Sequence, residues 1–300
     1  MKRTALVAVL MAGFSFGSGT AYAQTVNCGP GGSANQLETV LLTTDQNLIC
    51  YREGSAVMTG LGAITGLASG ETLVGIDYRP LNNVLYGVGT LGGIYTLATN
   101  MNGATATQVS TIVDMTTGAP IPLAGFSFGV DFNPVPDRLR IVSNFGQNLR
   151  VNVVNGQTIV DGPLNIPSFP NVTALGSMAV AYTNNDANAA TGTVLYALNN
   201  GIDQLLIQAP PNAGTQNQVG ALGVDIDPAT GFDIFTVVTN NVVTGARGLA
   251  TLSNTNPMNG MTTTQIYSIN LTTGAATPVM NGNFMNLAIA GLAIPLVQGN

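Results

Sequence analysis

Three aspartates recur in the same short pattern in this sequence. Asp77, Asp131 and Asp225 each lie two residues after a glycine and three before a proline, in the segments GIDYRP, GVDFNP and GVDIDP. Two carboxylates at a set separation, one with a raised pKa, are what hydrolysis of a glycosidic bond requires. The same oxygens, joined by Asp227, could instead ligate calcium, which takes six to eight oxygen ligands. These three aspartates are therefore the candidate catalytic residues.

A structural role explains the same aspartates more simply. A carboxylate repeated at equivalent places can accept backbone hydrogen bonds where two sheets meet, and burying it without partners would be costly. The sequence offers no tryptophan to stack on a sugar, and its glutamates (Glu38, Glu53 and Glu71) all lie early in the chain. No Asp-x-Asp-x-Asp-Gly calcium loop is present. We favour the structural interpretation and predict no dedicated metal site, with structural calcium on the aspartates as the alternative.

Arginines give the second set of candidate residues. Arg138, Arg140 and Arg150 are half of the arginines beyond residue 23. Side chains two positions apart in a strand share a face, so Arg138 and Arg140 could together hold an anionic ligand. The alternative is that they form salt bridges with nearby acids, namely Asp131, Asp137 or Asp161. We favour the salt bridges and keep the three arginines as ligand-binding candidates.

The residue types that the chain lacks exclude several kinds of chemistry. Beyond residue 23 it has no lysine and no histidine, and six arginines face 14 acidic residues, a net charge near −8. Without histidine there is no Ser-His-Asp triad, no Cys-His pair and no histidine-ligated zinc. Without lysine there is no Schiff base and no P-loop. The acidic balance argues against a nucleic-acid partner, since phosphate contacts need clustered basic residues.

The first 23 residues predict export. Lys2 and Arg3 precede an apolar stretch over residues 4–16, and the small-x-small triplet Ala21-Tyr22-Ala23 forms a cleavage site. We expect a periplasmic, cell-surface or extracellular protein. No transmembrane segment is predicted, because the longest later apolar run, residues 287–297, is too short to span a bilayer. In an oxidising compartment the two cysteines, Cys28 and Cys50, are expected to form a disulfide, and two free thiols are the alternative.

The aspartate pattern is part of a repeat. Copies begin at Gly75, Gly129 and Gly223, and degenerate copies at Ala179 and Gly291 carry Ala181 and Ala293 in place of the aspartate. Second short strands follow, as in VLYGVG (84–89), RLRIVS (138–143) and VLYALN (194–199). Segments rich in Val, Ile, Thr and Tyr, separated by Gly, Asn and Pro, are typical of β-strands and turns.

A unit of about 50 residues with four strands is typical of a propeller blade. The N-terminal strands TVLLTTD (39–45), NLICYRE (47–53) and AVMTGLGAI (56–64) lack a first strand, whereas the C-terminal strand at Gly291 lacks the other three. We therefore predict an all-β, five-bladed β-propeller, closed by the C-terminal inner strand joining the N-terminal three-strand partial blade. Residues 24–36 form an N-terminal extension and residues 37–300 one domain.

Three segments carry a resemblance to a known family: GLASGETLVGIDYRP, FSFGVDFNPVPDRLRIVSNFGQNLRVN and SINLTTGAATPV. With these, the chain resembles the bacterial exported domain-of-unknown-function family 4394 from about Leu37 to Val297. The resemblance implies a secreted or surface domain with a propeller-like fold. The family brings no established activity, so no catalytic residue is carried over.

From these observations we predict an exported binding or interaction module with no catalytic site and no cofactor, whose partner is an unknown protein or glycan. The alternative is a carbohydrate-active hydrolase that uses aspartates in the central channel. The two differ in one structural feature. An enzyme needs at least two carboxylates facing an open cavity, whereas a binding module would have its aspartates hydrogen-bonded to the backbone.

Overall fold

The computed structural model describes residues 36–100, 103–167, 175–228, 230–240, 242–256 and 258–296. The predicted signal peptide, nearly all of the predicted N-terminal extension and Cys28 lie outside these residues. Cys50 is buried within a strand, and its bridge to Cys28 stays a prediction. The described residues form an all-β structure with two single-turn 3-10 helices, Ala189–Thr191 and Pro211–Ala213.

The strands fall into consecutive groups along the chain. The first seven are β1 (Glu38–Thr43), β2 (Asn47–Arg52), β3 (Met58–Thr65), β4 (Leu73–Arg79), β5 (Val84–Gly89), β6 (Gly93–Asn100) and β7 (Gly103–Thr111). The next five are β8 (Val113–Asp114), β9 (Phe128–Asn133), β10 (Arg138–Ser143), β11 (Asn148–Val151) and β12 (Gln157–Val160). The last nine are β13 (Ser177–Tyr182), β14 (Leu195–Asn199), β15 (Gln204–Gln208), β16 (Gln216–Ala221), β17 (Thr230–Thr239), β18 (Val242–Thr255), β19 (Thr262–Ile269), β20 (Ala276–Met285) and β21 (Ile289–Ala293).

Strand pairing builds four-stranded antiparallel units. The orders β4-β5-β6-β7, β9-β10-β11-β12, β13-β14-β15-β16 and β17-β18-β19-β20 each follow the sequence, and the two-residue β8 adds to the second unit. A further unit has the order β21-β1-β2-β3, in which Val40 of β1 lies opposite Ala293 of β21. A short parallel pairing of β3 with β7, at Ile64 and Ala104, joins this unit to the first in one eight-stranded sheet.

The first strand of each unit faces the others. β4, β9, β13, β17 and β21, hereafter the central strands, contact one another in the order β4, β9, β13, β17, β21 and back to β4. They are buried along nearly their whole length, whereas outer strands such as β7 alternate buried and exposed residues. This close approach requires glycine: a Cβ on Gly129 would lie 2.6 Å from the Val180 nitrogen, and one on Gly231 would lie 2.6 Å from the Leu292 nitrogen.

The hydrophobic core lies between neighbouring units. One cluster of buried side chains, for example, joins Val88 and Ile94 of the first unit to Leu139 and Ile141 of the second. Other clusters join the third unit to the fourth and the fourth to the unit that holds β1. Face-to-face packing of sheets through alternating apolar side chains explains why each unit needs its neighbours to bury its two faces.

The structure corrects the predicted start of the fourth repeat. Residues 222–228, which contain GVDIDP, form a connection with no strand, and Gly223 has a left-handed backbone (φ 79°). The central strand is β17, where Gly231-Phe232-Asp233 supplies the Gly-x-Asp pattern. β17 pairs with β18 along its full length and buries Phe232, so it offers more ladder hydrogen bonds and apolar contact than the GVDIDP segment. Residues 239–264 contain the end of β17, all of β18 and the start of β19.

Candidate functional site

The central strands bring three aspartates together, near the carboxyl ends of β4 and β9 and in the first half of the longer β17. Asp77 of β4, Asp131 of β9 and Asp233 of β17 each place one carboxylate oxygen within 4.8 Å of the other two. All three side chains are buried. Asp225, predicted to be one of this set, is instead exposed in the connection between β16 and β17, with Asp227 two residues further on.

Each of these aspartates links its own strand to a neighbouring central strand. Asp77 Oδ2 accepts a hydrogen bond from the Phe132 backbone nitrogen on β9, at 2.7 Å. Asp131 Oδ1 accepts from the Tyr182 nitrogen on β13 at 2.9 Å, and Asp233 Oδ2 from the Ile294 nitrogen beyond β21 at 2.6 Å. The carboxylates thus supply hydrogen bonds between strands that share no ladder.

The two degenerate repeats replace the carboxylate with other polar side chains. Beside β13, which carries Ala181, Thr236 Oγ1 accepts a hydrogen bond from the Asn184 nitrogen at 2.9 Å. Beyond β21, which carries Ala293, Asn83 Oδ1 accepts from the Leu296 nitrogen at 3.2 Å. A side-chain hydrogen bond between neighbouring units is therefore present at all of these junctions, with or without the aspartate.

The electrostatics of the aspartates favour their neutral forms. Burial raises the pKa of Asp77 and of Asp131 well above the ordinary value, and the neighbouring carboxylates raise both pKa values further. Burial raises the pKa of Asp233 to about 7. The cavity beside the three carboxyl groups has a volume of about 20 Å³, which is room for about one water molecule. This space is too small for a sugar ring.

A larger cavity lies at the opposite ends of the central strands. Its volume is about 360 Å³, within the range of small-molecule sites. No charged side chain is among its described lining residues, which are Thr44, Gln46, Thr72, Leu73, Val74, Thr90, Phe126, Ser127, Phe128, Pro228, Thr230, Ile289 and Ala290. Much of its polar surface is already engaged: the Gln46 amide is hydrogen-bonded to the Leu73 backbone, and Ser127 Oγ donates to the Pro228 carbonyl.

Two exposed aromatic side chains stand at the mouth of this cavity. Phe126, a lining residue, is 68% exposed, and Phe145 is 56% exposed. Their rings meet edge to face with centroids 5.6 Å apart. An exposed aromatic pair beside a concave, largely apolar cavity is typical of a binding site.

A constriction separates the large cavity from the aspartates. Gly75, Gly129, Gly231 and Gly291 meet Ala179 midway along the central strands, around a gap of about 10 Å³. A gap of this size admits at most about one water molecule. The large cavity and the aspartates are therefore separate sites.

The arginine candidates do not face a common ligand site. Arg140 is fully buried and bonds to Asp161 at 2.6 Å, and Arg150 bonds to the same carboxylate at 2.6 Å. Arg140 also donates to Asn148 and Asn212, so its guanidinium is well satisfied within the protein. Arg138 lies apart and donates to the backbone carbonyls of Pro136 and Asp137.

Sequence reasoning missed Asp233 and the large cavity for different reasons. Asp233 follows Gly231 in GFDI, so the Gly-x-Asp signal was present, but GVDIDP matched the fuller pattern eight residues earlier. No local sequence pattern indicated the cavity. Phe126 and Phe145 lie in separate connections, before β9 and after β10, and only the fold brings them together.

A model of the family described as Domain of unknown function (DUF4394) matches residues 48–293 of the chain. No curated protein matches the sequence significantly. Among the described residues, no helix is long and apolar enough to cross a membrane.

Several solved structures show a general likeness to the chain. One is the glutaminyl cyclase of Myxococcus xanthus, with 12% identity and a TM-score of 0.40 over 85% of this chain and 95% of that chain. A structural genomics protein of unknown function from Bacteroides thetaiotaomicron has 9% identity and a TM-score of 0.40, over 85% and 58% of the two chains. The Dos1 propeller has 12% identity and a TM-score of 0.35, over 86% and 57%. Likeness at this level identifies no activity.

Proposed function

We propose, from the premise that the chain belongs to the DUF4394 family, that it is a β-propeller binding module. In this proposal the binding site is the 360 Å³ cavity, and Phe126 and Phe145 form its rim. The module needs no cofactor. The N-terminal sequence supports export to the periplasm, the cell surface or the medium, where the partner would be a protein or a glycan.

The proposed propeller has five blades. The five four-stranded units support this count, and the circular order of contacts among the central strands supports a ring. In the fifth blade β21 is innermost and β1, β2 and β3 follow outward, so the two ends of the chain share one sheet. Such a closure leaves only short sheet edges exposed.

One observation carries the choice of binding over catalysis. The aspartates with raised pKa values accept backbone hydrogen bonds that link strands, around a space for about one water molecule. The cavity that is large enough for a ligand has no carboxylate in its described lining. Acid–base groups and ligand space are thus at opposite ends of the central strands.

A carbohydrate-active hydrolase is the second candidate. Its support is the pKa of Asp233, raised to about 7, since a general acid works best with a pKa near the working pH. It would require the strands around Asp77, Asp131 and Asp233 to open enough to admit a sugar. Loss of a hydrolytic activity in Asp233→Asn, with the fold retained, would establish it.

The binding proposal can be tested by filling the cavity. Thr44 is exposed in the β1–β2 turn and lines the cavity, so Thr44→Trp should occupy the cavity without disturbing a strand. Leu81→Trp, in the β4–β5 turn at the aspartate end, is the control because Leu81 is also exposed. We expect neutral aromatic and sugar-like fragments to shift the NMR signals of lining residues in the wild type and in Leu81→Trp, and not in Thr44→Trp. Equal shifts in all three proteins would contradict the proposal.

A further inference from the structure

The connections around the large cavity form one surface, hereafter the cavity face. Four central strands, β4, β9, β17 and β21, begin at the cavity. Because neighbouring strands are antiparallel, the turns between the second and third strands of each unit lie at the same side as these beginnings. The described cavity face comprises residues 44–46, 66–72, 90–92, 112, 115–127, 144–147, 161–167, 175–176, 200–203, 222–228, 256, 258–261 and 286–288.

The cavity face is acidic, and the only guanidinium groups that reach it in the described chain are those of Arg140 and Arg150, which bind Asp161 from β10 and β11. Its described segments contain no lysine, arginine or histidine. Glu71 is buried there, the side chain of Asp161 is 5% exposed, and both are hydrogen-bonded. The other acids are Asp45, Asp203, Asp225 and Asp227. Asp203 and Asp225 are close enough for the charge of Asp225 to raise the pKa of Asp203, although burial is the larger cause.

The arginines of the described chain cannot neutralise these acids. Arg52 pairs with Glu38, Arg79 with Asp137, Arg247 with Glu53, and Arg140 and Arg150 with Asp161. Arg138 sits at the start of β10, at the aspartate end of the molecule. Apart from Asp161, the acids of the cavity face have no arginine partner among these ion pairs, so the face keeps a net negative charge, which attracts and orients cationic partners.

The same face exposes large apolar side chains on several connections. They are Leu91 (65% exposed), Phe126 (68%), Phe145 (56%), Leu175 (57%) and Met258 (94%). Phe126 lines the cavity, Phe145 touches Phe126, and Leu91 follows the lining residue Thr90. Apolar side chains grouped around a cavity mark an interaction site more strongly than the same residues scattered singly.

We infer that the cavity face docks a polypeptide segment in which basic residues flank an aromatic or large aliphatic side chain, and that this side chain enters the cavity. The inference rests on the proposed function and names its ligand class. A cavity of roughly 150 Å³ already takes up a benzene molecule, so 360 Å³ accommodates one aromatic side chain. The uncharged lining suits an apolar anchor, and the acidic surround suits the flanking cations.

A second copy of the chain fits this face poorly. In a two-fold symmetric dimer the same patch meets itself, so the acids of one cavity face would meet those of the other without a basic residue between them. Like charges across an interface suppress association. The complementary partner is cationic, and this chain beyond residue 23 is strongly acidic.

Binding of three synthetic peptides to the full mature chain tests the inference. The first peptide has arginines on both sides of a central phenylalanine, the second has alanine in place of that phenylalanine, and the third has glutamates in place of the arginines. We expect measurable binding by fluorescence anisotropy for the first peptide alone, weakened as ionic strength rises. Equal binding of the second peptide would show unspecific charge attraction, and equal binding of the third would remove the charge argument. Either result overturns the inference.

Matched variants locate the site. Leu91→Ala on the cavity face has Leu81→Ala at the aspartate end as its control, because the two leucines are 65% and 64% exposed. Asp225→Asn removes one negative charge at the cavity face and Ala187→Lys adds one positive charge at the aspartate end, so each raises the net charge by one. We expect Phe126→Ala to weaken binding about tenfold or more and Asp225→Asn about two- to fivefold. Both controls should leave the affinity near the wild-type value.

The outcomes separate this inference from the proposed function. If no peptide binds while neutral fragments still enter the cavity in a manner sensitive to Thr44→Trp, the cationic-segment inference is wrong and the binding module stands. If neither the peptides nor the neutral fragments bind, both the inference and the proposed function are wrong. Peptide binding that is lost in Leu81→Ala and Ala187→Lys but not in their cavity-face counterparts would place the site at the other end and overturn the inference.

Discussion

At the scale of single residues, the buried aspartates act as links between strands. Each carboxylate accepts a backbone hydrogen bond from a neighbouring unit, and next to the degenerate repeats Thr236 and Asn83 of the adjoining units accept such a bond. This explains why the pattern recurs without being universal. The function of these residues is set by their place in the repeat, which the sequence could reveal, whereas their mutual distance depends on the fold.

The linking role predicts similar effects for three substitutions and a small effect for a fourth. Asp77→Ala, Asp131→Ala and Asp233→Ala each leave buried backbone donors unpaired, which should lower the free energy of unfolding by about 1–3 kcal/mol. Asp225 is exposed, so Asp225→Ala should change it by less than about 0.5 kcal/mol. Urea denaturation of the four variants measures this. A thermally silent Asp233→Ala that abolishes an activity would favour the hydrolase instead.

The raised pKa values predict a decline in stability as pH rises. An unfolded aspartate has a pKa near about 3.9, whereas that of Asp233 in the fold is about 7. Between these values the folded state binds more protons than the unfolded state, so the free energy of unfolding falls with rising pH. The loss should be complete once the pH exceeds about 7 for Asp233.

Thermal midpoints measured from pH 4 to pH 8 check this dependence. Asp233→Asn removes one titrating group and should flatten the decline, whereas Asp225→Asn should leave the slope near that of the wild type. A wild-type midpoint that rises through this window would contradict the raised pKa values. Added calcium that restores the midpoint at pH 8 would instead indicate that the three carboxylates bind a cation.

At the scale of elements, sequence periodicity located the strands well, but it did not show which of two similar segments forms the central strand of a unit. The segments predicted as N-terminal strands correspond to β1, β2 and β3. The fourth repeat failed because two Gly-x-Asp segments lie eight residues apart, and local pattern could not decide between them. Pairing of β17 with β18 along ten residues decides it, and that pairing is a property of the folded sheet.

Strand β2 carries the element-scale prediction through Cys50. We expect Cys28 and Cys50 to be bridged in the exported protein, which ties the N-terminal segment to β2. A loop of this length predicts a stabilisation of about 3 kcal/mol. Mass spectrometry of a non-reduced digest checks the bridge. Two peptides with free thiols would refute it, and Cys28→Ser should then leave the melting temperature unchanged.

At the scale of the whole molecule, composition was the most informative part of the sequence. The absence of histidine and lysine beyond residue 23 excluded most nucleophilic and phosphate chemistry. Composition did not show where the charged side chains lie on the folded protein. That four acids of the cavity face, Asp45, Asp203, Asp225 and Asp227, have no arginine partner among the ion pairs follows from the three-dimensional arrangement of the connections.

The proposed ring closure predicts that a destabilising substitution in β21 lowers the stability of the whole domain. Leu292 of β21 is 3% exposed and packs against the fourth unit. Leu292→Ala should lower the free energy of unfolding by about 2–5 kcal/mol, and tyrosine fluorescence and circular dichroism should report one shared transition. Met280→Ala is the control, because Met280 is 77% exposed. Separate transitions in the two signals would contradict a ring that unfolds as one unit.

The glycine constriction also determines how a ligand exchanges with the cavity. Because the gap among Gly75, Gly129, Gly231 and Gly291 is about 10 Å³, the large cavity is closed to ligands at the end that faces the aspartates. In the proposed binding function a ligand would therefore enter and leave on the same side of the molecule, where Phe126 and Phe145 lie. Truncation of Phe126 should then change the rates of arrival and departure together.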